Sequence, residues 1–155
     1  MELLRVEFDE GCLVRTRRAV LACARVQGVA GERLGDFLAA VNECMINAVE
    51  HGGGRGRLRV WREDAGPGEG PVAGRLVCEV ADDGGGIPGG VLEREALPAP
   101  SAAGGRGIWL MRRLSDEVVF VTGPAGTRVR LVLELFAPAE RPGVVRAARA
   151  RPAAR

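Results

Sequence analysis

Val41–Gly54 reads VNECMINAVEHGGG. In a helix, Glu43, Asn47 and His51 stand at i, i+4 and i+8 and fall along one stripe. Leu34, Phe37, Leu38, Val41, Met45 and Ala48 gather on the roughly opposite side, the pattern of an amphipathic helix packed on a core. Gly52, Gly53 and Gly54 end the helix, because glycine takes the left-handed cap at no steric cost. One face is therefore built to bury, while the other offers a carboxylate, an amide and an imidazole in a row. A carboxylate and an amide one turn apart can ligand a hard cation and position a hydroxyl. Alone, such a trio is most often a solvated helix face. Its meaning depends on the rest of the chain.

Outward from this helix the periodicity changes. Towards the N-terminus, Leu3–Phe8 reads as a short strand and 12–26 as a first helix, with the stripe-bearing helix running from about Glu32 to His51. Towards the C-terminus, Arg57–Glu63 (RLRVWRE) alternates, with Leu58, Val60 and Trp61 marking a half-buried strand. Arg75–Ala81 (RLVCEVA) is a central strand, and the loop 64–74 between them closes a hairpin. The VLEREAL piece after Gly90 has room for a helical turn or two. Gly107–Leu114 is a compact helix opened by glycine. Val118–Thr122 and Arg128–Leu135 are two further strands joined by GPAGT. The order implies an α+β two-layer sandwich, a mixed sheet with helices on one face. Residues 1–136 form one domain, and 137–155 an Ala/Arg/Pro-rich tail expected to be disordered.

Composition narrows the function. At 155 residues, 46% hydrophobic and 27% charged, the chain is one ordinary globular domain. No apolar run reaches the length of a membrane span and no leader opens the sequence, so a cytoplasmic location is expected. The tail carries five Arg against Glu140, a net of +4; with +2 overall, the body is left at −2. A basic tail on a faintly acidic body argues against a nucleic-acid reader, which places its basic residues on folded elements. All 22 basic residues are Arg. A phosphate loop of the GxxxxGK[ST] type is therefore excluded, since its lysine cannot be supplied. Cys12, Cys23, Cys44 and Cys78 form no CxxC pair and there is a single His, so buried reduced thiols are expected rather than a zinc site.

Asp82–Gly90 reads DDGGGIPGG, directly after the central strand. Gly84–Gly89 matches GxGxxG, but that motif must open a long helix early in a βαβ unit. Here Pro88 and Gly90 break the segment, and the dinucleotide reading fails. The acids before the glycines suit another use. Asp82 at a strand end can accept a hydrogen bond from an exocyclic amine, and the glycines let the backbone approach a flat ring. Farther on, Gly104, Gly105 and Gly107 bracket Arg106 before a helix, whose N-terminal amides and dipole suit phosphate. With Asn47 for Mg²⁺ and Glu43 to activate a nucleophile, one nucleotide would span all three elements.

These residues resemble the GHKL ATPase superfamily, and within it the anti-sigma factor serine/threonine kinases. The family's asparagine box matches at Glu43, Asn47, Ala48 and His51. Its first glycine box matches at Asp82, Gly84 and Gly86, followed by Ile87. Its second is GGRGIWLMRRLSDEV, containing Gly105, Arg106, Gly107 and Ile108, and a last box is Gly126–Thr127. The resemblance covers about residues 3–135.

It implies a Bergerat-type sandwich that binds ATP and Mg²⁺. Asn47 would coordinate the metal, and His51 lies in the same box. Glu43 would be the general base towards a serine hydroxyl. Asp82 would read the adenine amine with help from Thr127, and residues 88–106 would form the ATP lid, with Gly105 and Gly107 at the phosphates. Relatives are homodimers that grip a sigma factor and phosphorylate a small antagonist protein. The alternative is an ATP-binding module that sequesters a partner without phosphotransfer; an intact Glu43 favours the kinase. A sensor histidine kinase would need another His and a long dimerisation helix pair. A topoisomerase-type ATPase would need a further domain.

Overall fold

The structure, a computed structural model, describes residues 1–99 and 105–137. Strand β1 (Glu2–Asp9) leads through a 3-10 turn into helices α1 (Leu13–Val26) and α2 (Gly31–His51). Strands β2 (Arg55–Asp64) and β3 (Val72–Asp82) follow, then α3 (Arg106–Leu114), β4 (Glu117–Gly123) and β5 (Gly126–Phe136). The strands form one sheet in the order β1-β2-β3-β5-β4. The helices cover one face, giving the expected two-layer α+β sandwich. Of the expected tail, all beyond Ala137 lies outside the described residues, as do lid positions 100–104.

The sheet is antiparallel in all four pairings, where a mixed sheet was expected. The connections explain this. Two helices separate β1 from β2, so the chain enters β2 pointing back along β1. β3 and β4 do share a direction across α3, but β5 inserts between them and no parallel ladder forms.

Two element boundaries also move. β3 starts at Val72, because Val72 and Gly74 pair with Phe136 and Leu135 of β5, so the hairpin loop shortens to 65–71. The VLEREAL piece is not helical and shows only isolated turn bonds, Val91 N–H to Pro88 O and Arg94 N–H to Val91 O. Seven residues between Gly90 and Pro98 are too few to repay helix nucleation.

The core lies between the layers. Leu58 and Val60 of β2, Leu76 and Cys78 of β3 and Leu131 of β5 are all fully buried. Phe37, Val41, Met45 and Ala48 of α2 meet them, as the apolar stripe required. Trp61 falls on the opposite sheet face from Leu58 and Val60, since side chains alternate along a strand. There it is stacked by Arg59 and Arg130, 5.4 and 5.2 Å from its ring, and Arg130 also pairs with the buried Glu79 at 3.2 Å. All four cysteines are free; Cys44 and Cys78 are buried, whereas Cys12 and Cys23 are only half-buried. No described helix is long and apolar enough to cross a membrane.

Phe37, in the first half of α2, is 0% exposed. Phe37→Ala should cost about 3–5 kcal/mol in urea denaturation, from lost transfer energy plus a residual cavity. Val121→Ala, on the open face of β4, should stay within about 0.5 kcal/mol of the parent.

Candidate functional site

The ends of β3 and β5, the outward stripe of α2, the glycine loop after β3 and the first turn of α3 enclose a cavity of ≈ 580 Å³. Glu43, Asn47, His51, Asp82, Gly86, Ile87, Gly105, Arg106, Gly107, Ile108 and Thr127 all line it. Gly84, expected among them, does not. A Cβ there would fall 2.5 Å from the His51 carbonyl oxygen and 2.6 Å from Gly52 Cα. Its role is to let the glycine loop lie against the end of α2.

Asp82 is held from several sides. Its Oδ1 accepts the Gly84 N–H at 2.9 Å and the Thr127 N–H at 3.3 Å. No described residue donates to its Oδ2, so this cavity-lining carboxylate keeps its second oxygen as an acceptor. A Cβ on Gly52 would lie 2.4 Å from Asp82 Cγ. The reason for glycine at 52 is therefore space, because its φ is −106°; the left-handed conformations fall to Gly53 and Gly54. Gly126, at φ +135°, packs so closely that a Cβ would sit 2.1 Å from the Asp82 carbonyl oxygen.

At the other end, α3 points its N-terminus at the stripe of α2. Gly105 precedes it in the left-handed conformation, and no side chain caps the helix. Its first N–H groups have no partner within the helix and present a partial positive charge towards the cavity. A Cβ on Gly107 would lie 2.8 Å from Glu43 Oε2 and 3.5 Å from Asn47 Oδ1. Glycine at 107 thus brings amide donors, a carboxylate and an amide oxygen together. Among the described residues no group of three or more His, Cys, Asp and Glu is arranged to hold a metal. Asn47 supplies a single hard oxygen, which fits Mg²⁺ that keeps its waters and takes further ligands from phosphates.

Burial pushes the Glu43 carboxyl above its ordinary value, and the nearby Glu50 charge raises it further. Glu50 also lines the cavity. Sequence reading missed it, although its i+7 spacing from Glu43 is the signal that places both on one face. Arg112 was also missed. Its guanidinium donates to the carbonyl oxygens of Leu92 and Arg94 and lies 5.5 Å from the Phe120 ring. Arg106 donates to Pro98 O at 3.3 Å. The stem after the glycine loop is thus pinned to α3 by two arginines.

The raised Glu43 gives a stability test with a definite sign. The folded state binds the Glu43 proton more tightly than the unfolded state, so stability is lost as pH rises from the unfolded towards the folded value. Glu43→Gln removes that loss. It should melt above the parent at pH 7, and the gap should close as pH falls to about 4, near the ordinary carboxylate value. A parent that melts higher at pH 7 would contradict the desolvation of Glu43.

Comparison with known proteins places the fold. No curated protein is significantly similar to the chain. The crystal structure of the RsbU and RsbW domains of Rv1364c from Mycobacterium tuberculosis is similar at 18% identity with a TM-score of 0.56, over 88% of this chain. The match spans only 34% of that structure's chain. The histidine kinase domain of a blue-light activated histidine kinase from Erythrobacter litoralis EL346 is similar at 22% identity with a TM-score of 0.45, covering 81% of this chain and 64% of that one. The family model described as a histidine kinase-like ATPase domain matches residues 6–133. This match reaches into every strand and contains every residue lining the cavity, and it shows that the chain belongs to the histidine kinase-like ATPase domain family.

Proposed function

We propose that the chain is an ATP-dependent serine/threonine protein kinase that phosphorylates a small antagonist protein and sequesters a sigma factor. One observation carries the chemical part: Glu43 Oε2 and Asn47 Oδ1 both lie within van der Waals reach of the Cβ position of Gly107. A base, a metal ligand and phosphate-binding amides then meet at one point. The regulatory part rests on the resemblance of the four boxes and on the RsbW domain in the structural neighbour's name.

Asp82 Oδ2 would accept from the adenine amine. The amides at the start of α3 would hold phosphate oxygens, and Asn47 would hold Mg²⁺ through its amide oxygen. When bound, the metal neutralises charge on the phosphates. Glu43 takes the proton of the acceptor hydroxyl as that oxygen bonds to the γ-phosphorus and the bond from the γ-phosphorus to the β-phosphate oxygen breaks, releasing ADP. Its raised value suits the role, because a base poised nearer neutrality is a better proton acceptor at the reaction's pH. As base it must be ionised, so activity should fall as pH drops towards the raised value, on the acid side only.

The test is transfer of labelled γ-phosphate to a co-encoded antagonist, alongside capture of a sigma factor. Glu43→Gln should reduce transfer by about 10²–10⁴-fold while ATP binding and the sigma-factor complex survive. A parent that binds ATP and both proteins but transfers no label would replace the kinase with a sequestering module. Asn47→Ala should remove most of the Mg²⁺-dependent rise in melting temperature with ATP. That rise corresponds to roughly 2.7 kcal/mol at 100 times the dissociation constant. Equal ATP stabilisation in EDTA and in Mg²⁺ would overturn the metal assignment.

A further inference from the structure

Thr122 closes β4 and faces Thr127 directly across the GPAG turn. Their hydroxyls are 2.9 Å apart. Thr122 Oγ1 also accepts the Ile87 N–H at 2.7 Å. Thr127 lines the cavity and Thr122 does not, so Thr122 reaches the site only through its neighbours. Through Thr127 it is connected to Asp82, whose Oδ1 takes the Thr127 N–H. The glycine loop is pressed onto the same hairpin: a Cβ on Gly86 would lie 2.5 Å from the Gly123 carbonyl oxygen and 3.1 Å from Thr122 Oγ1.

A hydroxyl has one proton and two acceptor sites. Thr122 uses one acceptor site for Ile87. Receiving that N–H polarises its own O–H and makes it the better donor of the pair. The favoured order therefore runs from Ile87 N–H to Thr122, and from the Thr122 O–H to Thr127. The Thr127 proton is then left to point into the cavity. Asp82 and Thr127 both line the cavity, so a ligand edge there would meet the Asp82 carboxylate as acceptor and the Thr127 hydroxyl as donor. That pair complements an amino group next to a ring nitrogen acceptor, as on adenine. On guanine, the carbonyl would face the carboxylate and the ring N–H would face the donor.

We infer that Thr122 is a positioning residue for base selection: by orienting the Thr127 hydroxyl and fixing Ile87, it makes the cavity prefer an aminopurine edge over an oxopurine edge. This rests on the reading of the cavity as a nucleotide site. It adds a residue outside the cavity wall that sets which base is accepted.

The experiment is calorimetric titration of the full chain with Mg²⁺ complexes of ATP, GTP and purine riboside triphosphate, which lacks the amine. Thr122→Val keeps the shape but can neither accept from Ile87 nor donate to Thr127. It should weaken ATP about tenfold, the worth of about one such bond, and leave GTP within about twofold, so that the ATP-to-GTP ratio narrows. Thr122→Ser should restore the ratio. Purine riboside triphosphate keeps the ring nitrogen that the Thr127 hydroxyl meets, so Thr122→Val should weaken it about as much as ATP; a loss confined to ATP would place the effect at the amine and overturn the inference. If Thr122→Val does not fold, Thr122→Cys, a weak donor and acceptor of similar size, should narrow the ratio in the same direction.

A folded variant with an unchanged ratio, or one that loses ATP and GTP equally, overturns the inference and leaves the nucleotide site standing. A parent that binds ATP and GTP alike also overturns it, since there is then no selection to position. A parent that binds neither nucleotide overturns the nucleotide reading, and the inference with it.

Discussion

One carboxylate oxygen organises the functional end of this molecule. Asp82 Oδ1 takes the N–H of Gly84, on its own chain, and that of Thr127, on the neighbouring strand. The first bond turns the chain out of β3 into the glycine loop. The second ties that turn to the start of β5. A charged acceptor shared by two backbone donors is a strong constraint, because hydrogen bonds to ionised groups are roughly twice as strong as neutral ones. It also fixes the second oxygen in orientation. The three glycines around it, 52, 84 and 126, are the steric counterpart, each leaving room that a side chain would fill.

From that corner the rest of the architecture follows. β3 is central and buried along most of its length, so its end is a rigid platform. α2 lies across the sheet with its apolar stripe in the core, which leaves Glu43, Asn47 and Glu50 facing outward over the same end. α3 is short and is anchored by Ile108 and Met111, both buried. Its uncapped N-terminus is left pointing at α2. Rigid elements supply the two carboxylates and the amide, and the more exposed loops only close the space between them.

Much of this was legible in the sequence because it depends on local patterns. The i, i+4 spacing placed Glu43 and Asn47 correctly, and the strand–Asp–glycine sequence placed Asp82 at the mouth of a turn. The antiparallel sheet was not legible, because it depends on β5 inserting between β3 and β4, a long-range choice without a local signature. Gly52 was assigned to a left-handed cap, yet the determining contact is with Asp82, thirty positions on. Trp61 was read with Leu58 and Val60, although strand alternation already separates it from them. Thr122 left a faint trace: Thr-Gly-Pro-Ala-Gly-Thr is symmetric about its turn, and a hairpin must set the two threonines opposite each other.

The hold of Arg112 and Arg106 on the stem that follows the glycine loop differs in kind from the contacts at Asp82. The acceptors are the carbonyl oxygens of Leu92, Arg94 and Pro98, not their side chains. Every amino acid, proline included, carries that oxygen. The clamp is therefore indifferent to the spelling of the segment it grips. Residues 92–98 can be rewritten while the two arginines keep the same hold. Variation would accumulate in the strap and constancy in the buckle, so a surface that changes quickly can hang on a site that does not.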